Sequence, residues 1–568
     1  MSTLLEQASL VMIPSGYKED IVYSQIPTSG AGDLSFTRAS NGTRVNSAGL
    51  VEVCPWNLAD NSENLTLWGS YAVSGTITRT ANYATAPNGT MTATRIQNSG
   101  GSVVQWTYQD INLINGGTIS MYVKRTGSTN QTFRLFGNNG AEVSSNFTAT
   151  SEWQRFEFTI LPSGSAKPHG ITTDSSANAA DILVWGGQIN IGSTAKPYFP
   201  TTDRLNVPRL TYQNGGGGCP SLLLEKQSTN YVLSSQNLTT YWNLTNTTAT
   251  ANSTTSPDGT QNASKLENDS ANTQHRYFQL IGSGLTNQTL SFSIYAKQGT
   301  HRYISWGITD NTDYRGQVVV DLQTGTITDQ FTTSATLSNL SVASQGNGWY
   351  RISGTIAVSS NYAGGDAYAF GLMLNSSSWS TAGYVGTGTY CYLWGGQAEQ
   401  SSYATSYIPT TSASATRVAD ECSKTGISSL IGQTEGVLFV DFVFTAYDGS
   451  AKWIAFLGGG ANYIGLYANS NTYIIGEVSN TTSQFSGAYS FSVGQRYKIA
   501  IAYKSNDFAY YINGAQISTA SSGTVPTTSD FTFLYSTTND RIGGKVYNQL
   551  CLFKTRLTNA ELASLTTI

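Results

Sequence analysis

The sequence predicts an all-β protein: tandem antiparallel β-sandwiches of jelly-roll type, followed by a third, different sandwich at the C-terminus. Three observations carry this. Only 11% of the residues are charged, while the chain holds 33 Tyr, 21 Phe and 11 Trp. Few charges among many Thr, Tyr and Val suit sheet rather than helix, and aromatic residues at that density supply enough buried area to fold a polar chain. Five sequence blocks recur in the same order and read as strands, and LSFSIYAK and its counterpart ISMYVK alternate between two faces with a period of two.

At 568 residues the chain is too long for one hydrophobic core, and two to four domains are expected. Residues 1–55 precede the first repeat. Their start, MSTLLEQASLVMIPSG, has no basic leader, and its apolar run is broken by Glu6 and Pro14, so neither a signal peptide nor a membrane span is expected. The net charge of −4 offers no electrostatic footprint for nucleic acid or an acidic membrane. Cys54, Cys219, Cys391, Cys422 and Cys551 lie far apart, which favours free thiols over a disulfide framework or a zinc site.

Residues 56–205 form the first repeat, with SENLTLW, APNGTMTATRI, ISMYVKRTG, WQRFEFTI and WGGQ. Residues 206–228 read as a linker or clasp with the glycine run 215–218. Residues 229–420 form the second repeat, with SQNLTTYW, SPDGTQNASKL, FSIYAKQG, WYRISGTI and WGGQ. Ile119, Met121 and Val123 fall on one face of their strand, as do Leu290, Phe292, Ile294 and Ala296. Pro-Asn-Gly and Pro-Asp-Gly mark tight turns at matching places. Trp185 and Trp394 open the two WGGQ motifs, and Trp153 and Trp349 open another matched strand. All four are read as structural, Trp185 and Trp394 as core residues beneath a bulge where Gly-Gly bends the backbone, with Gln188 and Gln397 facing an edge or neighbouring strand.

Residues 421–568 differ. RYKIAIAYK puts Tyr497, Ile499, Ile501 and Tyr503 on one face, Asn513-Gly514 predicts a hairpin turn, and Thr558 with Glu561 predicts a capping box on one short closing helix, stapled by Leu557 and Leu562. The run YINGAQI, CLFKTRLT and AELASL resembles the laminin G / concanavalin A-like lectin sandwich, which implies that fold over about residues 430–568.

A second resemblance spans most of the chain. FTRAS, TRVN and GLVE (Phe36 to Glu52), PRL to CPSLLLE and TN (Pro208 to Asn230), and SYIPT (Ser406 to Thr410) resemble phrases of appendage proteins from tailed bacteriophages, particularly crAss-like and related phages of Bacteroidetes. In that family such phrases flank carbohydrate-binding-module-like sandwiches. The resemblance implies a head or tail fibre or spike on the virion surface, assembled in the host cytoplasm as a homo-oligomer, usually a trimer. Its residues 1–55 would dock on capsid or tail proteins, the C-terminal domain would lie distally, and its sandwiches would adhere to bacterial surface or gut glycans. Two alternatives stand beside it: a purely structural decoration without ligand, and a glycan-depolymerising tailspike.

The chemistry-bearing residues point to binding rather than catalysis, with no cofactor and no metal. His169, His275 and His301 have no metal-ligand spacing. No ExDxxE set of strand carboxylates occurs; Asp310 and Asp313 sit in a turn-like DNTDYRG, Asp420 and Glu421 in ADEC at a domain junction, where acids are expected to be solvated. Asp448 and Asp507 are too isolated for a calcium site. Glycan binding needs aromatic faces near amides and hydroxyls. In HRYISWGI, Trp306 shares the core face with Ile304 and Ile308. Tyr295, Lys297, His301 and Tyr303 then fall outward on two successive strands, either a candidate polar-aromatic glycan surface or a face that packs on a neighbouring subunit or the next domain. Tyr463 and Tyr467, with Tyr473, share a parity in ANYIGLYANSNTYIIG and are candidate lectin-face residues, with core packing as the alternative.

Overall fold

The computed structural model describes residues 2–113, 116–163, 165–212, 216–283, 288–310, 314–358, 366–447, 449–533 and 544–568. Asp313, Asp448 and Gly215 lie outside the described residues. The fold is all-β with antiparallel sheets, as the sequence predicts, and the chain divides into two compact units: Val53–Val207, and Met1–Glu52 with Pro208–Ile568.

The first unit is one sandwich. One sheet has the order Glu142–Ala149, Gln131–Asn138, Lys167–Thr173, Gln105–Ile111, Gly69–Ala72; the other has Gln154–Ile160, Gly117–Arg125, Ala180–Ile191, Ala93–Asn98, Ile77–Ala84. The chain crosses repeatedly between the sheets, with Ile77–Ala84 and Ala93–Asn98 forming a hairpin in one sheet and Gln131–Asn138 and Glu142–Ala149 a hairpin in the other, which gives a jelly-roll path. Ile119, Met121 and Val123 meet Phe133, Leu135 and Ile171 in the core.

The second unit holds a sandwich with the same strand order in both sheets. Two inserted strands add one edge strand to each sheet, Thr326–Thr332 beside Tyr314–Asp321 and Ala335–Ser344 beside Trp349–Val358. Leu290, Phe292, Ile294 and Ala296 face Ile304, Trp306 and Ile308 across its core.

The same unit holds the C-terminal sandwich, an eight-stranded and a nine-stranded sheet. Its hairpin turns at Asn513 and Gly514, both with positive φ, and its helix Asn559–Thr566 starts with the capping box of Thr558 and Glu561. Six of these strands come from far upstream, and three of the six pair directly with strands beyond residue 420. Leu10 and Met12 pair with Leu552 and Leu550, Leu222 pairs with Tyr547, and Phe36 pairs with Cys422. Residues 1–55 are therefore not a segment apart, nor 206–228 a linker alone. Leu10, Met12, Leu34, Phe36, Leu222 and Leu224 are apolar side chains that need a core, and they find the C-terminal one. This also corrects the expectation of N-terminal and C-terminal parts at opposite ends, because they share sheets.

A buried ionic knot ties these phrases together. Arg38 Nη1 donates to Asp420 Oδ1 at 2.9 Å, Arg209 Nη2 donates to Asp420 Oδ2, and Arg209 Nη1 donates to Glu225 Oε2 at 2.7 Å. Arg417 Nη1 lies 3.1 Å from the same Glu225 oxygen, and Ser406 Oγ donates to it at 2.6 Å. Burial alone would raise the Glu225 carboxyl, but Arg417 and Arg209 hold it down at about 2. Asp420 is thus fully buried rather than solvated, because it closes the knot; Glu421 beside it is exposed.

WGGQ is the latch that ends each repeat. Gly186 and Gly395 have φ of 64° and 65°, where the strand register shifts opposite Tyr122 and Tyr295. Gln188 and Gln397 are fully buried and do not face an edge. Gln188 Oε1 accepts from Phe199 N at 3.0 Å, and Gln397 Oε1 accepts from Ile408 N at 2.7 Å, so each glutamine holds the departing chain.

Candidate functional site

Tyr295, Lys297, His301 and Tyr303 do not form one surface. Thr289–Gln298 and Tyr303–Asp310 belong to opposite sheets, so the turn between them is a crossover and not a hairpin. A period of two gives a strand's faces but not its sheet. Tyr295 is only 3% exposed, with Trp394 at 5.1 Å and Tyr407 at 6.1 Å between ring centroids. Lys297 is half-buried over Gly348. His301 is buried; Nδ1 lies 2.9 Å from Thr389 Oγ1 and Nε2 2.9 Å from Tyr303 O, and burial lowers its pKa to about 4. Tyr303 is half-buried under the Arg302 guanidinium, 5.0 Å from its ring.

Tyr463 and Tyr467 are brought together with three side chains that the sequence pattern does not single out, Trp453, Phe456 and Glu477. Strands Lys452–Gly459, Asn462–Ala468 and Tyr473–Asn480 lie side by side, with Gly465 opposite both Phe456 and Glu477. A register shift between Trp453 and Ala455 turns Trp453 and Phe456 onto the same face, which their odd spacing would otherwise forbid. Gly465 leaves the floor open: a Cβ there would come within 3.0 Å of Trp453 and 3.2 Å of Phe456. The rings close over it, with Trp453 at 5.0 Å from Tyr467 and 5.8 Å from Tyr463, and Phe456 stacked on Tyr463 at 5.1 Å.

Glu477 is held between the two tyrosines. Tyr463 Oη donates to its Oε2 at 2.8 Å and Tyr467 Oη at 3.1 Å. Burial, and then the neighbouring carboxylate, raise both phenols, Tyr467 to about 12, so both remain donors at neutral pH. No donor among the described residues takes Glu477 Oε1, which leaves one charged acceptor beside half-exposed rings. A flat ring face next to a fixed carboxylate is the geometry that packs the C–H face of a sugar while accepting from its hydroxyls. Tyr473 lies exposed at the start of the adjoining strand.

Two other places in the chain gather aromatic side chains beside charged ones. A cavity of about 490 Å³ is bounded by Tyr295, Tyr212, Tyr403, Arg44, Glu225 and Arg351; Arg44 is committed to Glu52, Glu225 to the knot, and Arg351 Nη2 donates to Ser293 Oγ and Thr405 O. In the first sandwich, Tyr71 is 51% exposed beside Trp106, which stacks on Phe136 at 4.8 Å and donates from Nε1 to Glu142 at 2.9 Å. The signal for this second aromatic surface was the outward parity of Trp106 and Tyr108 in QWTYQDI.

No family model matches the chain, and no curated protein matches it. Among solved structures it is similar to the CBM40 of Ruminococcus gnavus IT-sialidase bound to alpha2,3 sialyllactose, at 12% identity over 25% of this chain and 91% of that one, TM-score 0.22. It is similar to the N-terminal CBM22-1–CBM22-2 tandem domain of Paenibacillus barcinonensis Xyn10C, at 13% identity over 61% and 100%, TM-score 0.19. It is also similar to Trypanosoma rangeli sialidase, at 10% identity over 94% and 98%, TM-score 0.23. Likenesses this distant carry no argument about activity, and the sandwich fold rests on the sheets themselves.

Proposed function

We propose that this chain is a glycan-adhesion protein whose principal binding face is Trp453, Tyr463, Tyr467 and Glu477. The observation that carries the reading is the pairing of half-exposed aromatic rings with one carboxylate fixed by two tyrosine hydroxyls. The cluster supplies one acid, whereas glycoside hydrolysis takes a pair, so the reading is binding without cleavage.

The phage-like phrases support placing the chain on a virion. FTRAS, PRL, CPSLLLE and the residues after SYIPT are the segments that supply Arg38, Arg209, Glu225 and Asp420 to the buried knot, so the phrases and the architecture belong together. In this reading the protein is a homo-oligomeric head or tail appendage, assembled in the host cytoplasm, that holds the particle against bacterial surface or gut polysaccharide. A glycan array probed with the full chain tests the binding half. Binding that survives Glu477→Gln and Trp453→Ala together would move the site elsewhere, and release of oligosaccharides from a bound polymer would replace adhesion with depolymerisation. Labelling of intact phage particles with an antibody to the chain tests the virion half.

A further inference from the structure

The two repeats carry the same aromatic socket on the outer face of the WGGQ sheet, and in the second repeat the chain itself fills it. Trp349, Trp394, Tyr295 and Tyr407 are all buried there, in one cluster with Val51. The strand around Val51 is anchored by a backbone bond: Val51 N donates to Pro257 O at 2.9 Å, in the Pro-Asp-Gly turn. Leu50 lies on Gly259, where a Cβ would stand 2.8 Å from Leu50 Cδ1. Pro257 is buried by this contact.

The first repeat builds the socket with the same bonds. Trp153 Nε1 donates to Thr85 O at 3.2 Å, as Trp349 Nε1 does to Thr255 O at 3.0 Å. Ser62 Oγ and Tyr198 Oη are 2.8 Å apart, as Ser235 Oγ and Tyr407 Oη are 2.6 Å apart. Tyr122 packs on Trp185 at 5.6 Å, as Tyr295 does on Trp394 at 5.1 Å. The covering is what differs. Trp153, Tyr122 and Tyr198 are half-exposed, Pro87 is exposed, and Gly89 has open space around it to 4 Å.

We infer that the socket of Trp153, Tyr122, Trp185 and Tyr198 is a docking site for an extended segment of a second polypeptide. That segment would carry two adjacent aliphatic residues and donate a backbone N–H to Pro87 O. The occupant is specified by the repeat: Leu50-Val51 shows which side chains fill this shape and which main-chain atom anchors them. A segment docked this way gains one main-chain hydrogen bond that fixes its register and a side-chain pocket for selectivity.

The test uses a fluorescent peptide of residues Asn46–Val53, NSAGLVEV, added to the full chain and followed by anisotropy. The expected result is saturable binding, at least tenfold weaker when Leu and Val of the peptide are replaced by Asp, and at least tenfold weaker for the Trp153→Ala protein. A photoreactive group at the peptide's valine is expected to crosslink within residues 83–93 or at Trp153. Absence of binding at millimolar peptide, equal binding of the Asp peptide, or crosslinking elsewhere overturns the inference. So does displacement of the peptide from this face by a free glycan at equal concentration, which would make the socket a sugar site. None of these outcomes depends on the Trp453 cluster.

Discussion

Arg209 and Asp420, 211 residues apart in sequence, form an ion pair with no solvent exposure on either side chain. Asp420 also accepts from Arg38 and from the backbone N of Glu225, so one carboxylate joins the N-terminal strands, the 206–228 segment and the exit of the second sandwich. Removing one member of a buried pair leaves the partner charge uncompensated, which typically costs about 3–5 kcal/mol. Asp420→Ala is therefore expected to lower the stability of the 1–52/208–568 unit by about that amount, read as a fall in its urea midpoint. An unchanged midpoint would show that the knot adds no net stability.

Acid is expected to weaken this unit in two steps. His301 has its pKa lowered to about 4 by burial, from an unfolded value near 6.5, so the unfolded state binds more protons between these values. Stability then rises with pH through that window and falls as pH drops from 6.5 towards 4. Glu225 is held at about 2 against an ordinary value of 4.5, so its contribution is present above 4.5 and is lost as pH falls towards 2. Melting temperatures recorded from pH 7 to pH 2.5 are expected to decline throughout. His301→Gln is expected to flatten the upper part of the curve and Glu225→Gln the lower.

The WGGQ bulges predict a difference between two otherwise equivalent substitutions. Both first glycines sit in the left-handed region, where a side chain costs about 1–3 kcal/mol. A Cβ on Gly395 would also come within 2.8 Å of the buried Tyr295 ring, against 3.2 Å from half-buried Tyr122 for Gly186. Gly395→Ala is expected to be the more damaging in a calorimetric scan.

Thr558 caps the C-terminal helix, accepting from Glu561 N while Glu561 Oε2 accepts from Thr558 N at 2.8 Å. Thr558→Ala is expected to cost about 1 kcal/mol. Amide exchange localised to residues 559–566 checks it.

Much of the fold was legible because it is local. Alternation placed Leu290, Phe292 and Ile294 inside, Asn513-Gly514 placed a hairpin, and Trp306 was correctly read as core. What was not legible depends on partners far away in the chain. The apolar residues of 10–12 and 34–37 show no local sign of the strands they join beyond residue 420. Arg38, Arg209 and Asp420 look like loop charges until the sheets bring them together. In the candidate site, the parity of Tyr463 and Tyr467 was visible, but Trp453 reaches their face only through a bulge, and Glu477 lies one strand over. Tyr295 and Tyr303 misled because equal parity on successive strands says nothing about a crossover.

The central claim is that Trp453, Tyr463, Tyr467 and Glu477 hold a glycan. Its most direct measurement is a calorimetric titration of the full chain, wild type and Trp453→Ala, with the best ligand from a glycan array. Losing one stacked ring is worth about 1.4 kcal/mol or more, so the variant is expected to bind at least tenfold more weakly with its melting temperature little changed. Equal affinity of the two proteins for that ligand would contradict the account.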